Sequence, residues 1–243
     1  SLASLREAWA GGAALPEPLR ERFAARFGVP VVGTYGLSEA PTVVSIDPRD
    51  GTHRPGASGQ ALPHLAVSIR DDDGAVVVGG EDGEVCIGPT TAGPFAGLYR
   101  PPLGYWGRPE ASGALLAGGV VHTGDVGLVD DDGWLSIRDR RNLVIVRGGA
   151  NVYPAEVERV LHAIDGVAAG AVTGVDDERL GERVVAAVEL DPGCTLDAET
   201  ILDHAGRELA RYKVPERVIV VDALPRNAMG KVDRPALAPL FDP

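Results

Sequence analysis

Between residues 48 and 139 the chain alternates short apolar runs with polar turn clusters, and this pattern narrows the possible folds most sharply. The clusters are Asp71-Asp72-Asp73-Gly74, Gly79-Gly80-Glu81-Asp82-Gly83 and Asp130-Asp131-Asp132-Gly133. Runs this short are strands, and acidic residues ending in glycine are the chemistry of tight turns between them. Either acidic triplet could suggest a calcium loop, but each precedes a glycine between two strands, so solvated hairpin tips are the reading adopted. Gly at 32 residues and Pro at 19 agree with a chain rich in turns, and exclude a helical bundle.

The flanking regions have different textures. Residues 1–47 read as α/β: Pro16 opens a helix that places Leu19, Phe23 and Phe27 on one face, and a short strand over 29–32 follows. From about 140 onward an α+β unit is expected. A strand ends in Gly148-Gly149 and turns into a helix starting at Pro154, with Val157, Val160, Leu161 and Ile164 inward. Two strands (AAGAVTGV and RVVAAVEL), a helix (TLDAETILDHAGRELA) and a last strand (ERVIVVDAL) complete it. The charged segment Asp139-Arg140-Arg141-Asn142 lies at the boundary and suits a hinge.

A formal net charge of -12 gives no electrostatic support to nonspecific binding of nucleic acid or anionic membranes. No run approaches the roughly 18 apolar residues of a membrane-spanning helix, and the N-terminal residues lack the pattern of a secretory signal. Cys86 and Cys194 stand in unrelated contexts and read as reduced thiols of a cytoplasmic protein. The five histidines show no ligand spacing, so no structural metal is expected.

Four segments could carry chemistry. Tyr35-Gly36-Leu37-Ser38-Glu39 offers an aromatic that can stack on a base and a carboxylate that can hold Mg2+ against phosphate. Asp125, in His122-Thr123-Gly124-Asp125, can accept both hydroxyls of a ribose. Arg140 can engage oxygen pairs, and Gly148 and Gly149 let backbone approach a narrow ligand. Lys231, after Gly230 in a loop, can deliver a point charge to a phosphate and a carboxylate together. Each alone is matched by a plain structural reading: a strand-to-loop turn, a capping aspartate, a surface charge cluster or a solvated lysine.

Their order and spacing decide between these. YGLSEAP, HTGD, DRRNLVIVRGGANVYPAEVE and LPRNAMGK together resemble the acyl-activating superfamily of acyl-CoA synthetases, luciferases and peptide-synthetase adenylation domains. The resemblance covers essentially the whole chain. It implies the end of a large α/β domain over 1–47, a β-rich, distorted-barrel subdomain over 48–139, and a mobile α+β lid over 140–243. It implies that a carboxylic acid reacts with ATP to give acyl-AMP, followed by transfer of the acyl group to coenzyme A. Tyr35, Gly36, Ser38, Ala13 and Ala14 would then border the nucleotide, and Glu39 would serve the Mg2+–phosphate site. Asp125 would hold the ribose, Arg140 would contact the nucleotide, and Lys231 would act in adenylation. Gly148 and Gly149 would line the pantetheine path, with Arg140, Arg141 and Asn142 as the hinge.

This sequence departs from the family pattern at Ser38, where Thr is usual, and at Asn142-Leu143, where charged residues are common. The family's phosphate-binding loop is not found in residues 1–40, so the remainder of the large domain is expected upstream and the chain alone is expected to be inactive. A peptide-synthetase adenylation domain, a fatty acyl-AMP ligase and a noncatalytic nucleotide-binding module stay open as alternatives.

Overall fold

A computed structural model describes residues 4–12, 15–228 and 230–241. The chain divides into two compact units, Ser1–Arg141 and Asn142–Pro243.

The first unit contains β1 (Ala8–Ala10), α1 (Glu17–Phe27), β2 (Val31–Leu37), β3 (Thr42–Ile46), β4 (Gln60–Ala61), β5 (Leu65–Arg70), β6 (Val76–Val77), β7 (Gly83–Pro89), α2 (Pro109–Leu115), β8 (Val121–Val129) and β9 (Leu135–Arg140). Two sheets result, one in the order β1-β2-β3-β4 and one in the order β6-β5-β7-β8-β9. The second is antiparallel throughout. It stays open where a distorted barrel was expected: among the described residues β6 and β9 remain its two edges, and a two-residue β6 offers too short a ladder to close it. Strand alternation in β7 places Val85 and Ile87 in a core with Val44, Leu65, Ile69, Leu115, Val121 and Leu135.

Both acidic hairpin tips are closed by their own backbone. Asp71 Oδ1 accepts from the amides of Asp73 and Ala75, and Asp130 Oδ1 accepts from Asp132 and Trp134. The face of α1 that carries Leu19, Phe23 and Phe27 is not what seats the helix. Leu19 and Phe27 are exposed, and the buried position is Arg20, whose Nη1 donates to Asp47 Oδ2 at 2.9 Å and to the Val31 carbonyl at 2.6 Å. The paired guanidinium, not the apolar stripe, fixes this helix against β2.

The second unit contains β10 (Ile145–Arg147), β11 (Ala150–Val152), α3 (Pro154–His162), β12 (Val167–Asp177), β13 (Gly181–Leu190), α4 (Ala198–Glu208) and β14 (Arg217–Val220). Its sheet runs β11-β10-β13-β12, with β14 parallel to β13. The unbroken apolar run of β13 is buried on both faces. Val184, Ala186 and Val188 pack with Val157 and Leu161 of α3 and Ile201 and Ala205 of α4. Val185 and Ala187 face Leu224, Leu237 and Phe241. Asp197 caps α4, its side chain accepting from the Thr200 amide at 2.8 Å. Ile164 lies beyond the end of α3 but is still buried in the same core.

The expected strand-to-helix turn at Gly148-Gly149 is instead a hairpin into β11. Arg147 pairs with Ala150, and Gly148 and Gly149 have φ of 59° and 83°. That is the two-residue turn whose twist suits a hairpin and whose positive φ favours glycine at both positions. Among the described residues no helix is long and apolar enough to cross a membrane.

Candidate functional site

The strand carrying Asp125 is irregular, and that irregularity presents the carboxylate. Opposite β7, the pairs Glu84↔Val126 and Cys86↔His122 enclose more residues on β8 than on β7, so β8 bulges between them. Gly124, inside the bulge, has φ of 69°, a conformation that an L side chain would strain. Thr123 pins the distortion: its hydroxyl donates to the Val85 carbonyl at 2.7 Å and accepts from the Asp125 amide at 3.0 Å. Bulges of this kind re-aim side chains.

Asp125 is buried, at 4% exposure, and both its oxygens are engaged. Oδ2 accepts from the Tyr35 hydroxyl at 2.5 Å, and Oδ1 pairs with Arg140 Nε at 2.7 Å. Arg140 is the cross-strand partner of Asp125 on β9, and its Nη1 also reaches the Thr123 carbonyl at 3.4 Å. Burial raises the Asp125 carboxyl above the usual range, opposed by the Tyr35 hydrogen bond and the Arg140 charge. Burial first, then the charge of Asp125, pushes the Tyr35 phenol far up, so it remains a donor.

Tyr35 lies within β2, where the register with β3 shifts between Tyr35 and Gly36. A Cβ at Gly36 would stand 3.0 Å from the Thr42 carbonyl oxygen, so its smallness serves the approach of β3. Ser38 is exposed in the turn that follows. Glu39 Oε1 accepts from the Tyr105 hydroxyl at 2.9 Å. Ala13 and Ala14 lie outside the described residues. Arg141 and Asn142 stand in a short 3-10 turn over Arg141–Leu143, with Arg141 paired to Asp72 at 2.5 Å.

In the second unit the candidates are held by backbone. Gly148 and Gly149 form the exposed tip of the β10–β11 hairpin, and the Gly148 amide donates to the Leu180 carbonyl at 2.7 Å. Arg147 anchors that tip through the Tyr212 carbonyl at 2.7 Å and an ion pair with Glu216. Lys231 ends a loop closed on itself. The Asn227 amide donates to the Lys231 carbonyl at 2.8 Å, the Lys231 amide to Asn227 Oδ1 at 3.1 Å, and Gly230 has φ of 78°. Lys231 is exposed, and its ammonium has no ion-pair partner among the described residues.

The fold thus gathers Tyr35, Asp125 and Arg140 into one cluster of the first unit, and shows Lys231 and Gly148-Gly149 on separate loops of the second. The sequence reading missed Tyr105, Thr123 and Glu84. Only strand register could have found Glu84, whose Oε1 accepts from the Gly124 amide at 3.2 Å.

Residues 1–97 match the model of the AMP-binding enzyme family, and residues 156–231 match that of the AMP-binding enzyme C-terminal domain. The indoleacetate–CoA ligase of Aromatoleum aromaticum is 40% identical over 233 residues, covering 95% of this chain and 44% of that protein. The chain belongs to the adenylate-forming acyl-CoA synthetase superfamily. Solved members share the fold. ATP-bound MatB from Rhodopseudomonas palustris is 34% identical with a TM-score of 0.82, over 96% of this chain and 45% of that one. The amide bond synthetase McbA from Marinactinospora thermotolerans is 35% identical with a TM-score of 0.86, over 100% of this chain and 48% of that one. The chain spans less than half the length of the superfamily relatives named here.

The residues present fit the groups that superfamily members use. Asp125 has two oxygens fixed at a bulge, the acceptor geometry that a vicinal diol requires. Glu39 is only partly buried and commits Oε1 to Tyr105; a carboxylate of this kind suits a hard cation that takes one carboxylate and otherwise phosphate and water.

Proposed function

We propose that this chain is the C-terminal part of an acyl-CoA ligase that converts a carboxylic acid and ATP to an acyl-adenylate and pyrophosphate, then passes the acyl group to coenzyme A. The observation that carries this reading is the buried Asp125 carboxylate, aimed by the Gly124 bulge and flanked by Tyr35 and Arg140. A carboxylate held this way orients a ribose. Tyr35, protonated across the physiological range, stands ready beside the base, and Arg140 balances charge at the nucleotide.

Adenylation brings a carboxylate against a polyphosphate, and the repulsion must be offset by placed positive charge. Lys231, exposed and free of an ion-pair partner among the described residues, supplies that charge at the loop tip. Mg2+, when bound, would neutralise phosphate charge, and Glu39 is the residue that would hold it. The Gly148-Gly149 turn, with no side chain in the way, would admit the pantetheine arm. In this reading residues 1–47 end a large α/β domain, 48–139 form its β-rich part, and 140–243 are a lid hinged at Arg140, Arg141 and Asn142. A reducing, cytosolic setting suits Cys86 and Cys194, both free thiols here.

The test is carboxylate-dependent exchange of pyrophosphate into ATP by the natural polypeptide that contains this sequence, across aryl, fatty and short acids, followed by thioester formation with coenzyme A. Exchange with at least one acid and a coenzyme A thioester as product are expected. Exchange with transfer to an amine in place of coenzyme A would move the assignment toward amide synthesis, and no exchange with any acid would overturn it.

A further inference from the structure

On the β7–β8 ladder, outside the Asp125 cluster, three donors of different chemistry converge. Cys86 and His122 are direct cross-strand partners, and Glu84 is two residues before Cys86, the spacing that returns a strand to the same face. Cys86 Sγ lies 3.5 Å from His122 Nδ1, and Glu84 Oε2 lies 2.9 Å from the same nitrogen. All three ligand atoms fall within 4.8 Å of one another. Cys86 is fully buried, while the side chains of His122 and Glu84 retain 23% and 13% exposure. The cluster therefore has a closed floor and an open side.

The other ring nitrogen decides what the cluster can hold. His122 Nε2 lies 3.2 Å from the Ala117 carbonyl oxygen, which can only accept, so Nε2 carries its hydrogen. In the neutral ring Nδ1 is then a bare lone pair, and it faces a carboxylate oxygen and a sulfur. The three atoms can be joined by the Cys86 thiol hydrogen, by a proton on Nδ1, or by a metal ion that displaces the thiol proton. A backbone carbonyl on the far nitrogen is the usual partner that orients a metal-bound imidazole. With zinc bonds of about 2.3 Å to sulfur and about 2.0–2.1 Å to nitrogen and oxygen, the sulfur–nitrogen edge of a tetrahedron is roughly 3.5 Å, as seen here. The oxygen–nitrogen edge is roughly 3.3 Å, to which the 2.9 Å Glu84–His122 spacing would widen on binding.

We propose that Glu84, Cys86 and His122 form a binding site for Zn2+, or a cation of like softness, with water in the fourth position on the open side. Thiolate with imidazole selects such ions over Mg2+. Binding forms one bond each to Sγ, Nδ1 and Oε2 and releases the thiol proton to solvent, with a second proton where His122 was imidazolium. Thiolate and carboxylate then neutralise the divalent charge. Arg141 Nη1, 3.5 Å from Glu84 Oε2, yields that oxygen and keeps its pairing with Asp72. A redox-sensor role for Cys86 is disfavoured without metal: burial first, then Glu84, push the thiol up to about 11, where a thiolate is scarce.

The experiment is titration of the chelator-treated natural polypeptide that contains this sequence with Co2+, read by the near-ultraviolet thiolate-to-cobalt charge-transfer band, then displacement by Zn2+. One equivalent, a charge-transfer band, and loss of that band on adding Zn2+ are expected. Cys86→Ser should abolish the band and weaken Zn2+ binding beyond the ~10–100-fold typical of losing only a ligand's outer partner. Cys194→Ser should leave both unchanged. His122→Gln should weaken binding to a similar degree, and if it fails to fold, the wild type and Cys86→Ser decide alone. No band in the folded wild type, or a band that survives in Cys86→Ser, overturns the proposal and leaves the cluster a hydrogen-bonded His122–Glu84 pair.

Discussion

Asp125 and Lys231 are the charged groups on which the proposed chemistry most depends, and the two units hold them in opposite ways. Asp125 is 4% exposed, has a partner on each oxygen, and is bound into three strands. Lys231 is exposed on a loop whose order comes from the backbone bonds of Asn227 and Gly230, with its ammonium free of any ion pair among the described residues. The difference follows from what each group has to do. A group that positions a ligand gains from being fixed before the ligand arrives. A cation wanted for only one of two steps must be able to leave, and a rigid pairing would hold it back. The same contrast separates effects on stability from effects on rate.

The largest expected effect is on rate and comes from the loop. In the full enzyme, Lys231→Ala should lower acyl-adenylate formation by about 100-fold or more, the cost of one preorganised charge in a transition state. Stability should stay within ~0.5 kcal/mol, as for an exposed side chain without partners. Thioester formation from supplied acyl-adenylate should stay near wild type. Pre-steady-state rates of the two half-reactions check this, and an equal fall in both would make Lys231 structural and erase the contrast.

Tyr35→Phe should show the opposite profile. It leaves one oxygen of a buried carboxylate without its donor, which costs about 1–3 kcal/mol, visible as a lower midpoint in denaturant unfolding of the 243-residue chain. An unchanged midpoint would mean that the hydroxyl contact with Asp125 contributes nothing to the fold. The boundary between the units offers a third comparison. Asn142→Pro fixes φ near −65° and disfavours a helical conformation at Arg141, within the turn Arg141–Leu143. If that turn is the hinge, thioester formation should fall about tenfold while adenylation is still detected. Equal retention of both rates would place the hinge elsewhere.

How much of this could be read from the sequence depended on the distance over which each feature is determined. RVVAAVEL was legible as a strand, and its unbroken apolar run is what lets β13 be buried on both faces. Lys231, Asp125 and Arg140 stand out as candidates because each lies in a short motif, and the structure brings Asp125 and Arg140 together. Tyr105 was not, since its bond to Glu39 joins residues 66 apart. Neither was the Glu84–Cys86–His122 cluster, which exists only once β7 and β8 are in register. What seats α1 was not legible, because Arg20 has a buried partner in Asp47, which periodicity does not reveal. The hairpin at Gly148-Gly149 was taken for a helix entry because two glycines signal a turn without saying where the chain goes next.

The smallest expected effect contrasts two carboxylates instead of two units. Burial raises Asp125, whereas Asp197, on the surface at the start of α4, is held below the usual carboxylate range by the backbone amide of Thr200. A depressed folded pKa means that the carboxylate form favours the folded state. Its contribution is present above the unfolded value of about 3.9 and is lost as pH falls through the folded value. Asp197→Ala should therefore lower the thermal midpoint of the chain slightly at pH 7, and the gap from wild type should close as the pH drops below about 4. Asp197→Asn, which keeps an acceptor oxygen for the Thr200 amide but carries no charge, should recover most of the midpoint at pH 7. Thermal unfolding of the three proteins at pH 7 and in acid measures this. A gap that persists unchanged in acid would show that the charge of Asp197 has no part in capping α4.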